Sequence, residues 1–111
     1  MVTREEMIAI IKKILEEYSK IQLSHGEAEH QVIIDENQDI YQLKLIGWDG
    51  PRHIYGTVFD LQIKDNKIWV HYDATEDGVV TDLENFNIPK DQIVLGFMPK
   101  YKRKYTDYAV E

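Results

Sequence analysis

The sequence predicts an α+β fold, with an N-terminal helix and a second, shorter helix packed on a mainly antiparallel β-sheet. Three observations predict it. Apolar residues recur at helical spacing over residues 3–21 and again after Thr75. Between those stretches the apolar period falls to two. The alternating runs are joined by turns too short for crossover connections, which makes their pairing antiparallel.

The first helix carries Met7, Ile11, Ile14, Tyr18 and Ile21 on one stripe, widened by Ile8, Ile10 and Leu15. Lys12, Lys13, Glu16, Glu17 and Lys20 fall opposite. Thr3 and Glu6 have capping-box spacing, so the start is marked. The stripe is wide for a small domain. Packing on the sheet accounts for it, and a second subunit is the alternative cover.

Residues 22–29 are polar, contain Gly26 and read as a connection. A hairpin follows, with strands at 30–35 and 40–47 around the loop Glu36-Asn37-Gln38-Asp39. Gly47-Trp48-Asp49-Gly50-Pro51 reads as the turn that stops the second strand. Trp48, beside that turn, is expected to plug the core; Trp69 is open between core and interface.

In the next hairpin Tyr55, Thr57, Phe59, Leu61 and Ile63 are expected on one face. Gly56 suggests a bulge or a close backbone approach. Asp65-Asn66 is a two-residue turn tolerant of positive φ. The return strand puts Ile68, Val70 and Tyr72 on one face and Trp69 and His71 on the other. Val79, Val80, Leu83 and Phe86 then form the second helix, which Asn87-Ile88-Pro89 ends. Residues 91–97 have the composition of a short buried strand, and the tail from Met98 is polar and aromatic.

A chain of 111 residues, 43% apolar and 30% charged, is one domain's worth, spanning 1–111. It has no cysteine, so disulfides, thiol catalysis and cysteine-based zinc sites are excluded. No apolar run approaches a membrane span and the first residues lack a signal-peptide pattern, which fits a cytoplasmic protein. The net charge of -7 opposes a duplex-DNA footprint and favours protein partners. The local exception is Lys100, Lys102, Arg103 and Lys104 beside Tyr101 and Tyr105. That cluster reads as a solvated tail or as a docking arm. Trp69, Tyr101, Lys102, Arg103 and Tyr105 are therefore the candidate partner-binding residues.

Other chemistry finds little material. Asp73, Thr75, Asp77, Gly78, Val79, Thr81 and Glu84 follow calcium-loop spacing. The residues before Asp73 alternate like a strand, so the entering helix is missing and the segment reads as a helix start. His25, Glu27, Glu29 and His30, with His53 and His71 elsewhere, match no metal-ligand spacing. Ser19 and Ser24 lack a nucleophile-elbow context. No phosphate loop or dinucleotide fingerprint is present. Asp49, Asp60 and Asp73 read as turn and strand-end acids rather than a nuclease cluster. The expectation is no catalytic, metal-binding or cofactor site.

One ordered set of segments carries a resemblance. It runs through Leu45-Ile46-Gly47-Trp48-Asp49-Gly50, Tyr55-Gly56, Lys67-Ile68-Trp69-Val70 and Thr75-Glu76-Asp77-Gly78. It continues through Ile88-Pro89, Leu95-Gly96-Phe97 and Tyr105-Thr106-Asp107-Tyr108-Ala109. In order and spacing this resembles the XisI family, cyanobacterial excision-controlling factors associated with removal of the fdxN DNA element. The resemblance implies a non-enzymatic accessory factor acting with an XisH-like companion and a site-specific recombinase in heterocyst-associated DNA rearrangement. A homo-oligomer is compatible with it. The alternative is a direct DNA-binding accessory factor using residues 100–104. The family often shows Asp-His-Tyr-Gln-Leu where this chain has Asp39-Ile40-Tyr41-Gln42-Leu43, which counts against a catalytic histidine there.

Overall fold

Helix α1 (Arg4–Ser19) begins where the capping box predicts: the Thr3 hydroxyl accepts from the Glu6 amide, and the Glu6 carboxylate accepts from the Thr3 amide. The computed structural model describes residues 1–22 and 26–111. Ser24 and His25 lie outside the described residues. Met7, Ile11, Ile14 and Leu15 are fully buried, Ile8, Ile10 and Tyr18 are half-buried, and Ile21 is exposed past the helix end.

Five strands follow in chain order: β1 (Glu27–Asp35), β2 (Ile40–Asp49), β3 (Arg52–Lys64), β4 (Lys67–Asp73) and β5 (Ile93–Leu95). They form one sheet in the order β1-β2-β3-β4-β5. All pairs are antiparallel except β4 with β5, which is parallel because α2 (Val79–Asn85) crosses between them. Both long helices lie on one face. There Tyr41, Leu43, Phe59, Leu61, Ile63, Ile68 and Val70 meet Met7, Ile11 and Leu83 in a single core.

The first hairpin is longer than its apolar alternation shows. β1 starts at Glu27, three residues before the predicted start, because Glu27 and Glu29 pair with Trp48 and Ile46 on a face that needs no apolar residues. β2 likewise continues through Gly47 and Trp48 to Asp49. A Cβ on Gly47 would sit 2.1 Å from the Glu27 carbonyl oxygen and 2.3 Å from the Ala28 Cα, so the close approach of β1 demands glycine. The turn proper is Gly50-Pro51. Gly50 has φ +59° and proline cannot follow it into positive φ, which leaves a type II′ turn. Trp48 is 54% exposed, so the expected core plug is corrected: its strand position points it away from the helices.

Two bulges reset the faces. Leu43 pairs with Phe59 and Lys44 with Thr57, leaving Val58 extra in β3. Asp60 pairs with Tyr72 and Leu61 with Val70, leaving His71 extra in β4. The predicted faces are corrected accordingly. Tyr55 and Thr57 point opposite to Phe59, Leu61 and Ile63, and Tyr72 points opposite to Ile68 and Val70. Gly56 is not the bulge, and a Cβ there would meet nothing within 4 Å.

Asp65 and Asn66 both have positive φ, +54° and +59°, as a type I′ turn requires. The Asp73 carboxylate accepts from the Val79 amide at 2.7 Å and from the Thr75 amide and hydroxyl. α2 ends in a Schellman motif, with Asn87 at φ +68° and the Ile88 amide donating to the Leu83 carbonyl. A 3₁₀ turn (Lys90–Gln92) leads into β5. The tail forms an element the sequence pattern does not show, the short helix α3 (Lys100–Arg103). It then returns to the sheet, where the Ala109 amide donates to the Ile93 carbonyl at 2.9 Å.

Candidate functional site

The face of the sheet opposite the helices is the distinctive surface of this chain. Strand alternation places Ile33, Ile40, Ile46, Trp48, Tyr55, Trp69 and, through the bulge, Tyr72 on it. Trp48 and Tyr55 are 54% and 66% exposed. Trp48 packs against His53 in a tilted arrangement with ring centroids 4.6 Å apart, and Lys44 lies 5.5 Å from the Tyr55 ring. Gln42 donates to Asp60 at 2.7 Å, and His71 and Gln62 share a hydrogen bond of 2.9 Å. Apolar rings are thus interleaved with polar groups that already bond one another.

Trp69 is the pivot between this face and the tail. Its ring meets the Lys64 ammonium, 5.0 Å from the centroid, and the Arg103 guanidinium, 5.1 Å away. Its indole N–H is buried and has no hydrogen-bond partner among the described residues. Arg103 donates to the carbonyls of Met98 and Val110, at 3.0 and 3.1 Å, and so closes the tail into a loop. Val94, paired with Trp69, is fully buried on this side although it lies outside the main core.

The candidate partner-binding residues therefore divide into two groups. Trp69 and Arg103 contact each other and hold the tail in place. Tyr101, Lys102 and Tyr105 project outward, with Tyr105 80% exposed. Lys102 and Lys104 lie beside the Tyr101 and Tyr105 rings, at 6.0 and 5.2 Å. Lys100 is ion-paired to Glu111 at 2.9 Å.

The chemistry-bearing residues elsewhere are dispersed. Asp73 caps α2 as described. Asp49 pairs with Arg52 at 3.5 Å, and Asp60 binds Gln42. The Ser19 hydroxyl donates to the Glu16 carbonyl. His30 sits on the helix side of β1, where burial lowers its pKa, whereas His53 and His71 lie on the open face. Among the described residues, no group of three or more histidines and carboxylates could hold a metal ion. Tyr18 donates to Asp82 at 2.6 Å; burial first, and that bond second, push its pKa well above the ordinary tyrosine value. This bond locks α1 to α2 from within the packed side.

The sequence profile described as XisI protein matches residues 1–110. The chain belongs to the XisI family. A solved XisI-like protein from Anabaena variabilis ATCC 29413 is similar to it, with 36% identity and a TM-score of 0.86 over 96% of this chain and 97% of that one. The structure of the fdxN element excision controlling factor XisI from the same organism shares 32% identity and a TM-score of 0.74, covering 93% and 94%. No curated protein matches the chain.

The α+β architecture is thus that of solved XisI-like proteins. Sequence reasoning missed the part of the XisI surface formed by Trp48, Tyr55 and Tyr72. Its alternation count ran through Val58 and His71 unbroken, and a bulge has no reliable signature in a single sequence. One signal was available: Glu27 and Glu29 alternate with Ala28 and His30, as a strand with one solvated face does.

Proposed function

We propose that this XisI-family chain is a non-enzymatic accessory factor in excision control of a DNA element, acting through an XisH-like protein and with it a site-specific recombinase. The observation that carries the reading is the built tail: Tyr101 and Lys102 are presented on α3 and Tyr105 in the turn after it, and Arg103 and Trp69 hold that segment against the sheet. Exposed tyrosines on a fixed backbone lose little entropy on docking, which suits them as interface anchors. Family membership supports the excision role, since a similar solved protein is named as an excision controlling factor. The non-enzymatic reading is supported by Asp60, Asp73, Thr75 and Ser19, whose carboxylates and hydroxyls are already bonded inside the fold.

The test is light scattering after size-exclusion chromatography, on the chain mixed with its XisH-like neighbour at micromolar concentrations. A defined complex is expected, weakened at least about tenfold by Tyr105→Ala with Lys102→Glu. Two separate peaks would remove the reading. Direct DNA contact through residues 100–104 has less support, because Lys100 and Arg103 are engaged within the chain. A salt-dependent mobility shift lost on Lys102→Ala with Lys104→Ala would restore it.

A further inference from the structure

The open face of the sheet is divided by charge along its diagonal. At one corner β1 brings Glu27 and Glu29 beside Trp48 and Ile46, with Tyr55 next to them on β3. At the opposite corner Lys64 and Lys67 flank the β3–β4 turn, and Arg103 lies over Trp69. Asp35 and Asp60 lie between the corners, Asp35 bonded to the loop amides of Asn37 and Gln38, and Asp60 to Gln42. Lys44 rests on Tyr55, and Glu111 is taken up by Lys100. Lys64 and Arg103 have contacts within the chain, but among the described residues Glu27, Glu29, Lys64, Lys67 and Arg103 form no ion pair, so the net charge of the face is acidic at one corner and basic at the other.

The face is large enough to be an interface. Four strands by about ten residues span roughly 600 Å² in plan, approaching the roughly 800 Å² that each partner gives to a standard interface. It carries the exposed rings of Trp48, Tyr55 and Tyr72, the residue types enriched at interface centres. Rotation about a two-fold axis lying in the interface plane superposes such a face on its own copy, and an axis along the other diagonal exchanges the two charged corners.

We propose that the open face is the interface of a homodimer, two copies packed sheet to sheet with the Glu27–Glu29 corner of each against the Lys64–Lys67 corner of the other. Both diagonal contacts are then attractive, which offsets the repulsion between two chains of net charge -7. A nucleic-acid strand fits the face less well, because Glu27 and Glu29 repel phosphate. The proposal is independent of the XisH-like partner and is tested on this chain alone.

Two charge-swapped variants test it by analytical ultracentrifugation, with circular dichroism to verify folding. One carries Glu27→Lys and Glu29→Lys, the other Lys64→Glu and Lys67→Glu. All four side chains lie on the surface side of the sheet, away from the core. The wild type is expected to be a dimer, and each variant alone to dimerise at least about tenfold more weakly, because both of its corners then carry one sign. An equimolar mixture of the two is expected to regain a 1:1 dimer, since opposite signs meet again at both contacts. Trp48→Ser is expected to weaken the wild-type dimer while leaving the monomer's melting temperature unchanged. A wild type that is monomeric at about 100 µM overturns the proposal. So do variants that remain dimeric, or a mixture that fails to reassociate. Binding of a single-stranded oligonucleotide that competes with dimer formation and is lost in the Lys64→Glu, Lys67→Glu variant would reassign the face to nucleic acid.

Discussion

The two faces of this sheet are made from the same strands under opposite rules. On the helix side Phe59, Leu61 and Val70 are fully buried against α1 and α2, and any change of volume is felt. On the open side Trp48, Tyr55 and Tyr72 are exposed, without a covering layer. β3 serves both: before Val58 its aromatic ring points out, after it the ring points in. Aromatic content alone therefore does not say where a residue is stabilising; its side of the bulge does.

Four measurements break or sharpen that contrast. Phe59→Ala should destabilise most, by about 3–5 kcal/mol in urea melts, because it empties the centre of the packed side. A loss below about 1 kcal/mol would mean that this core is loosely filled. Gly47→Ala comes next, at about 1–3 kcal/mol, because its methyl must displace the β1 backbone at Glu27 and Ala28. The loss should be accompanied by faster amide exchange in β1, whereas uniform protection would show that the strand accommodates the methyl. Tyr55→Ser on the open face should move the stability of the dilute chain by no more than about 0.5 kcal/mol. A change as large as that of Phe59→Ala would show that the face is covered within the monomer.

The smallest effect is expected at Glu6. Its carboxyl is held below the ordinary value of 4.5, first by the Thr3 amide and then by the Thr3 hydroxyl, both donating to it. A depressed carboxylate pKa contributes stability that is present above the ordinary value and lost as the pH falls through the lowered one. The melting temperatures of wild type and Glu6→Gln should thus differ near neutrality and converge in acid. A constant difference would assign the effect to packing rather than to the charge.

Much of this was legible beforehand. The capping box at Thr3, the Asp65-Asn66 turn and the stop at Ile88-Pro89 are local, and local chemistry decides them. The helical stripe located the packed side, since Met7, Ile11 and Ile14 have nowhere else to be buried. What escaped was set by partners distant in sequence. Trp48 looked like a core residue until its pairing with Glu27 fixed which way it points. The tail looked solvated because the carbonyls that Arg103 gathers carry no side-chain signature. Of the five residues singled out for docking, the exposure of Tyr101, Lys102 and Tyr105 follows from their polar setting, but the support from Trp69 and Arg103 required the fold.

Gln92 gives the molecule a timetable. Its buried side chain accepts from the Val2 amide at 2.8 Å and donates to the carbonyls of Val2 and Asn66, at 2.9 and 3.1 Å. The start of α1 is thus fastened by a residue made 90 positions later. During synthesis the two hairpins can form as they emerge, but the first helix is locked only when the strand beside Gln92 has left the ribosome. Until then the stripe of that helix has the β2–β4 face to pack on, but its first turn is unfastened, so the helix is seated before it is locked.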